Sequence, residues 1–214
     1  VQTCALPIFD EFTWGIMETY IIYLAAGNSR RFGTNKLFYK INDKELYRYG
    51  LDNLIKLVSM RNDCKLIVVT QYFEITKAYP DLDYVYSSKC KDGISYSIKA
   101  GLEMINKQDN FQVMFVVADQ VNLNYQTLNK MLDTYNASNY SLATLSYQNK
   151  VGNPTIFDCK YVDELKQLKG DYGGRKVLNK YLDECLFFEV NDHKELFDID
   201  VIEDLNNDIA SNDL

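Results

Sequence analysis

An apolar, β-branched run, Tyr20-Ile21-Ile22-Tyr23, breaks directly into Leu24-Ala25-Ala26-Gly27-Asn28-Ser29-Arg30-Arg31-Phe32-Gly33-Thr34-Asn35-Lys36. The run reads as a buried first strand, and the glycine-bearing segment after it reads as a loop built to face a ligand. Glycine lets backbone approach a bound group closely, and successive backbone N–H groups form a concavity for anions. Arg31 adds a planar fork of donors and Lys36 a point charge. A loop of this kind fits a nucleoside triphosphate. It is not a Walker A loop, because no Gly-Lys-Ser/Thr follows a glycine at the required spacing, and with two glycines it is not Gly-x-Gly-x-x-Gly. The plain alternative is a polar connection with incidental charges.

At 214 residues, the chain is long enough for one α/β domain with a sizeable core and short for two. A net charge of −7 argues against nucleic acid as a partner, so the basic residues of the first loop stand out against an acidic background. Cys4, Cys64, Cys90, Cys159 and Cys185 are scattered and form no Cys-x-x-Cys pair. They read as reduced thiols of a cytoplasmic protein, not as a disulfide frame or a zinc site. The one histidine, His193, lies in the acidic stretch Asn191-Asp192-His193-Lys194-Glu195 and reads as exposed, so histidine-based catalysis is not expected. No run approaches the length needed to span a membrane.

Strands and helices alternate from residue 19 onward, the pattern of an α/β sheet with helices on its faces. Tyr47, Leu51, Leu54, Ile55 and Val58 imply a helix near 45–59, and Ile94, Ile98, Leu102 and Ile105 one at about 93–106. Strands are expected at Leu66–Val69 and Tyr84–Tyr86, with the strongest at Val113–Val117, followed by a helix carrying Leu128, Met131, Leu132 and Tyr135. In the second half, strands at Leu142–Tyr147 and Thr155–Phe157 are expected to flank a turn at Gly152-Asn153-Pro154. Short helices around Val162–Leu168 and Val177–Leu182, a strand at Leu186–Val190 and a final helix near 201–209 complete the expectation.

Asp119 stands at the carboxyl end of the strongest strand, where open α/β sheets bind ligands. A carboxylate there, beside a phosphate-cradling loop, suits Mg²⁺, which takes one or two carboxylates plus phosphate oxygens. A turn or helix-capping aspartate is the alternative. Asp198 and Asp200 would face the same side of an extended segment, and Asp200 would equally serve to cap the last helix. Ser95 and Ser97 open a helix, where backbone donors and hydroxyls can read a nucleobase or ribose, or serve as ordinary helix-start residues.

The pattern Leu24-Ala25-Ala26-Gly27-x-Ser29-x-Arg31-Phe32-Gly33-x-x-Lys36 resembles the signature loop of the MobA-like nucleotidyltransferases, most closely the molybdenum-cofactor cytidylyltransferases. Guanylyl-transferring relatives usually carry Leu-Ala-Gly-Gly and Arg-Met-Gly, whereas this chain has Ala26 and Phe32. Five further segments resemble family motifs in family order. Ala118-Asp119-Gln120-Val121 is similar to Asp-Gln-Pro, and Asp198-Ile199-Asp200-Val201-Ile202-Glu203-Asp204-Leu205 to Asp-Ile-Asp-Thr-Pro-Glu-Asp-Leu. Gly93-Ile94-Ser95-Tyr96-Ser97-Ile98 is similar to Gly-x-Ser-x-Ser-Leu, while Gly152-Asn153-Pro154 and Gly170-Asp171-Tyr172-Gly173-Gly174-Arg175 resemble Gly-His-Pro and Gly-Asp-x-Gly-Ala-Arg. The departures are Val121, Asn153 and Val201-Ile202.

The resemblance, from about residue 19 to 205, implies an α/β three-layer sandwich around a mostly parallel mixed sheet, the Rossmann-like nucleotide-diphospho-sugar transferase fold. It implies Mg²⁺-dependent transfer of a cytidylyl group from CTP to molybdopterin or molybdenum cofactor, with a molybdenum hydroxylase as possible client. Arg31, Lys36 and Asp119 are the implied catalytic residues. Leu24, Ala25, Ala26, Gly27, Ser29, Arg31, Gly33, Lys36, Ser95 and Ser97 would hold the nucleotide, Asp119 and Asp200 the metal, and Asn153, Asp171 and Arg175 the acceptor. The rivals are a GTP-using or other-acceptor enzyme of the same family, a dinucleotide-using oxidoreductase and a non-catalytic carrier of the cofactor. Proteins of this type start where Met17 stands, and Val1–Ile8 resembles translated sequencing-adapter read-through; residues 1–16 are expected to be a non-native or disordered leader, and 17–214 one domain.

Overall fold

A computed structural model describes residues 17–29, 32–201 and 204. The expected leader, Arg31 and most of the expected last helix lie outside the described residues. Strand β1 (Glu18–Ala25) is buried from Thr19 onward, which is why it reads as a continuous apolar run and not as an alternation. After the first loop, a 3-10 turn at Lys36–Phe38 is capped by Asn35, whose side chain accepts from the Leu37 N–H. A small hairpin, β2 (Lys40–Ile41) and β3 (Lys44–Glu45), leads into α1 (Leu46–Met60). Next come β4 (Cys64–Thr70), α2 (Phe73–Ala78), β5 (Asp83–Tyr86), α3 (Ile94–Glu103), β6 (Phe111–Val117) and α4 (Tyr125–Asn136). The second half contributes β7 (Leu142–Tyr147), β8 (Lys150–Asp158), α5 (Val162–Lys166), α6 (Arg175–Leu178) and β9 (Cys185–Glu189).

Seven strands form one sheet in the order β5-β4-β1-β6-β8-β7-β9. β1 pairs in parallel with both β4 and β6, β4 with β5, and β7 with β9, while β8 runs antiparallel to β6 and β7. The sheet is therefore mixed and mostly parallel. Successive residues of β1 go to opposite faces. Ile21, Tyr23 and Ala25 join a core with Leu51 and Leu54 of α1 and Leu128 and Met131 of α4. Tyr20, Ile22 and Leu24 join a second core with Ile98 and Leu102 of α3, Leu165 of α5 and Val177 of α6. Two cores on two faces make the three layers. Gly101 is what lets α3 lie flat on β1, since a Cβ there would come 2.6 Å from the Ile22 side chain.

One expectation is corrected. The turn of the β7–β8 hairpin is not at Gly152-Asn153-Pro154 but at Gln148-Asn149, both with positive φ (46° and 69°) as two-residue hairpins require. β8 runs through the Gly-Asn-Pro segment as a strand. The register shifts there, with Thr144 opposite Thr155 but Leu145 opposite Gly152, so Asn153 and Pro154 are extra residues in β8. Proline has no N–H to give to a ladder, and a bulge is where a strand tolerates it. Of the stretch expected as the last helix, Val201 and Asp204 are described. Asp204 accepts from the N–H groups of Asp200 (2.7 Å) and Val201 (2.9 Å), which fixes this turn.

Candidate active site

The strand order reverses beside β1, because β4 and β5 lie to one side of it and β6 to the other. Ligands of open α/β sheets bind at such a switch point, beyond the carboxyl ends of the strands. The first loop leaves β1 there and Asp119 follows β6 there. The two strand ends are tied by the Ala118 N–H donating to the Leu24 carbonyl (3.3 Å).

The loop is held from behind by three consecutive side chains at the end of β4. Thr70 Oγ1 donates to the carbonyl of Ala25 (2.9 Å), Gln71 Nε2 to that of Ala26 (2.7 Å) and Tyr72 Oη to that of Gly27 (2.7 Å). In a trans peptide the N–H points opposite to the carbonyl, so the N–H groups of Ala26, Gly27 and Asn28 are turned away from these donors. Gln71 also donates to Asn28 Oδ1 (2.9 Å), and Asn28 Nδ2 donates to the Lys91 carbonyl (2.6 Å), which links the loop to the approach to α3. Ser29, at φ 50°, uses its Oγ to accept the Lys36 N–H (3.0 Å) and its carbonyl to accept the Phe32 N–H (3.0 Å). These bonds set where Lys36 begins its 3-10 turn.

Lys36 is buried, and its ammonium meets oxygens from three places in the chain. It donates to Asp119 Oδ2 (2.9 Å), to the Ile199 carbonyl (2.7 Å) and, at 3.4 Å, to Asp200 Oδ1. Burial pulls the ammonium toward its neutral form, but the Asp119 and then the Asp200 carboxylate outweigh it and hold Lys36 above its ordinary value. The segment carrying Asp200 is pinned here by the Ile199 N–H donating to the Asp119 carbonyl (3.1 Å). Asp119 Oδ1 is buried and has no hydrogen-bond partner among the described residues. Asp198 is exposed by area yet crowded by protein atoms; this desolvation, and then the charges of Asp119 and Asp200, push its carboxyl up to about 7.

A cavity of about 370 Å³ joins these parts, with Ala26, Gly27, Ser29, Lys36 and Asp119 toward the strand ends and Lys91, Gly93, Ser97 and Asp171 on its α3 side. A second, of about 130 Å³, is lined by Asn153, Arg175, Thr144, Thr155 and Asp198. Leu24 also lines the first cavity, whereas Ala25 and Ser95 are fully buried and, like Gly33, are outside its lining. Ser95 and Ser97 are two positions apart on a helix and so point to different sides. The expected acceptor set is divided as well, for Asn153 and Arg175 share the second cavity while Asp171 lies in the first.

A model of the MobA-like NTP transferase domain matches residues 21–185. The chain belongs to the MobA-like NTP transferase family. As a MobA-like protein it is a nucleotidyltransferase by family and by fold. The purine catabolism protein PucB of Bacillus subtilis (strain 168) is 27% identical over 194 residues, covering 86% of this chain and 92% of PucB. Rv0371c from Mycobacterium tuberculosis H37Rv superposes with a TM-score of 0.74 at 21% identity, over 91% of this chain and 99% of that one. A complex of Rv0371c with manganese gives 0.70 at 20% identity, over 91% and 99%. A nucleotidyl transferase from Methanothermobacter thermautotroptrophicus gives 0.72 at 16% identity, over 91% and 97%.

The MobA-like signature accounts for the loop and for Asp119 but leaves out what holds them. Thr70-Gln71-Tyr72 has no motif, though a polar triplet at the end of a buried strand is itself a signal. The Ile199 carbonyl is a backbone contact that no side-chain pattern announces. Asp198 and Asp200 share one segment, and the fold sends the two to different neighbours, Asp200 to Lys36 and Asp198 to the Arg175 cavity.

Proposed function

We propose that this chain transfers a cytidylyl group from CTP to the terminal phosphate of molybdopterin or molybdenum cofactor and releases pyrophosphate. The observation that carries the reading is the Lys36–Asp119 pair at the switch-point cavity, with one Asp119 oxygen engaged by the ammonium and the other buried without a partner among the described residues. That orphaned oxygen, with Asp200 close to the same ammonium, fits a hard divalent cation. Among the described residues no group of three or more metal-ligating side chains comes together. The remaining ligands would be phosphate oxygens and water, as Mg²⁺ prefers. Asp119 and Asp200 would hold it, and it would neutralise charge on the α-phosphate. The manganese complex of the structural neighbour Rv0371c supports a divalent ion here.

The acceptor phosphate oxygen forms a bond to the α-phosphorus of CTP while the bond to the β-phosphate oxygen breaks. The leaving pyrophosphate takes that electron pair. Such a transfer needs no protein nucleophile, and catalysis is positioning and charge stabilisation. The N–H groups of Ala26, Gly27 and Asn28, with Ser29, cradle the triphosphate. Lys36 and Arg31 offset the charge that grows on the leaving group. Arg175 forks onto the acceptor phosphate from the second cavity, with Asn153 beside it. Ala26 and Phe32, in place of Gly and Met, favour CTP over GTP. A role in purine catabolism, as PucB is named for, is compatible with a molybdenum hydroxylase as client.

The departures at Val121, Asn153 and Val201-Ile202 favour one second reading, a carrier that binds nucleotide and cofactor without turnover. Pyrophosphate release from CTP with Mg²⁺ and molybdopterin separates the two. Stoichiometric release that requires both substrates is expected, and binding without release would leave the carrier.

A further inference from the structure

We infer that Asp171 reads the amino edge of the nucleobase and so sets which nucleotide this chain accepts. The inference rests on the nucleotide reading above and adds the group that does the selecting. It starts from an unusually close backbone contact. Gly93 sits at φ 136°, and a Cβ built on it would lie 2.3 Å from the Gly170 carbonyl oxygen and 2.9 Å from Asp171 Oδ1. The Ser95 N–H donates to that same Gly170 carbonyl (3.1 Å), and Gly173 lies against Ile94. Gly170, at φ 57°, turns the chain here. The Gly170–Gly174 loop is therefore seated on the start of α3, and Asp171 is carried into the wall of the nucleotide cavity. Arg175, four residues on, lines the other cavity.

Within the nucleotide cavity, charge assigns the ends. Lys36 and the loop N–H groups suit phosphates, whereas a fixed carboxylate repels them, so Asp171 belongs to the nucleoside end. Asp171 is exposed and has no hydrogen-bond or ion-pair partner among the described residues. A carboxylate is an acceptor and nothing else, so it selects a donor. Around it, Gly93 offers no side chain, and Cys90 and Ile94 give the cavity apolar surface suited to the flat face of a heterocycle. The donor that such a base turns to an acceptor is its exocyclic amine, which cytosine has and uracil replaces with a carbonyl oxygen. Facing uracil, Asp171 would set two acceptors against each other, a mismatch that costs more than a missing bond.

The test is calorimetric binding of CTP, UTP and dCTP, with Mg²⁺, to the full chain and to Asp171→Asn and Asp171→Ala. The ratio of affinities within one protein does not depend on how much of a variant is folded. We expect the wild type to favour CTP over UTP about tenfold or more. Asp171→Asn, whose amide can donate to the uracil oxygen, should bring that ratio close to one, and Asp171→Ala should weaken CTP and strengthen UTP, since it removes both the bond to the amine and the clash with the uracil oxygen. An unchanged CTP-to-UTP ratio in both variants would overturn the assignment while leaving the nucleotide reading intact. A changed CTP-to-dCTP ratio in its place would also overturn it, giving Asp171 to the ribose. Failure of the wild type to bind any of the three would bring down the nucleotide reading itself.

Discussion

Lys36 joins the first loop to two later segments, through Asp119 and through the Ile199 carbonyl with Asp200. Removing the ammonium leaves two carboxylates facing each other across a partly buried site. Lys36→Met should cost about 1–3 kcal/mol in urea unfolding and abolish stabilisation by CTP. Gly27 separates binding from folding more cleanly. A Cβ there meets nothing within 4 Å, so Gly27→Ala should leave the unfolding midpoint within about 0.5 kcal/mol of the parent. The same methyl group would occupy the space the triphosphate needs, and CTP affinity should fall at least tenfold by calorimetry. Lys36 and Asp119 were legible in the sequence because the chemistry fixes both residue type and place, a cation after a glycine loop and a carboxylate after a strand. Asp171 was legible as a polar residue but not by cavity, because its placement depends on the Gly93–Gly170 contact, which links residues far apart in sequence.

Elements buried on both faces were the easiest to read. β1, β4 and β6 each carry an unbroken apolar run, at residues 20–25, 66–69 and 113–117, and their positions follow from those runs. The position of the β7–β8 turn was not legible, because Gly-Asn-Pro has stronger turn chemistry than Gln-Asn. The sheet keeps the Gly-Asn-Pro segment extended by pairing residues on either side of a bulge, with Thr144 Oγ1 donating to the Gly152 carbonyl (2.7 Å). The close seat of the Gly170 loop on α3 depends on Gly93. Gly93→Ala should cost about 1–3 kcal/mol in thermal or urea unfolding, since backbone must move to admit the methyl group and the φ is strained for any side chain. The first residue of β1 predicts a pH dependence. Lys65 above all, with Lys107 and Tyr20, draws the Glu18 carboxyl down from 4.5 to about 2. Its folded value is depressed, so its contribution is complete above about 4.5 and drains away as pH falls toward 2. Glu18→Gln should flatten the acid limb of stability against pH in that window, measured by urea midpoints.

Across the whole molecule, the sheet sets two cavities side by side. Gln120 lies between them, following Asp119 of the first and donating through Nε2 to the Asn153 carbonyl (3.1 Å) of the second. A nucleotide in one and an acceptor in the other would meet near Asp119. An acidic chain that gathers cationic and N–H donors at one switch point concentrates its attraction for phosphate there. The most direct measurement is thermal unfolding of the full chain and of Asp119→Ala with CTP, with and without Mg²⁺. We predict that CTP stabilises the parent when Mg²⁺ is present, by about 2.7 kcal/mol at 100 times its Kd, and that Asp119→Ala loses most of this gain. Equal stabilisation of both proteins, or no response of the parent to CTP with Mg²⁺, would contradict the account.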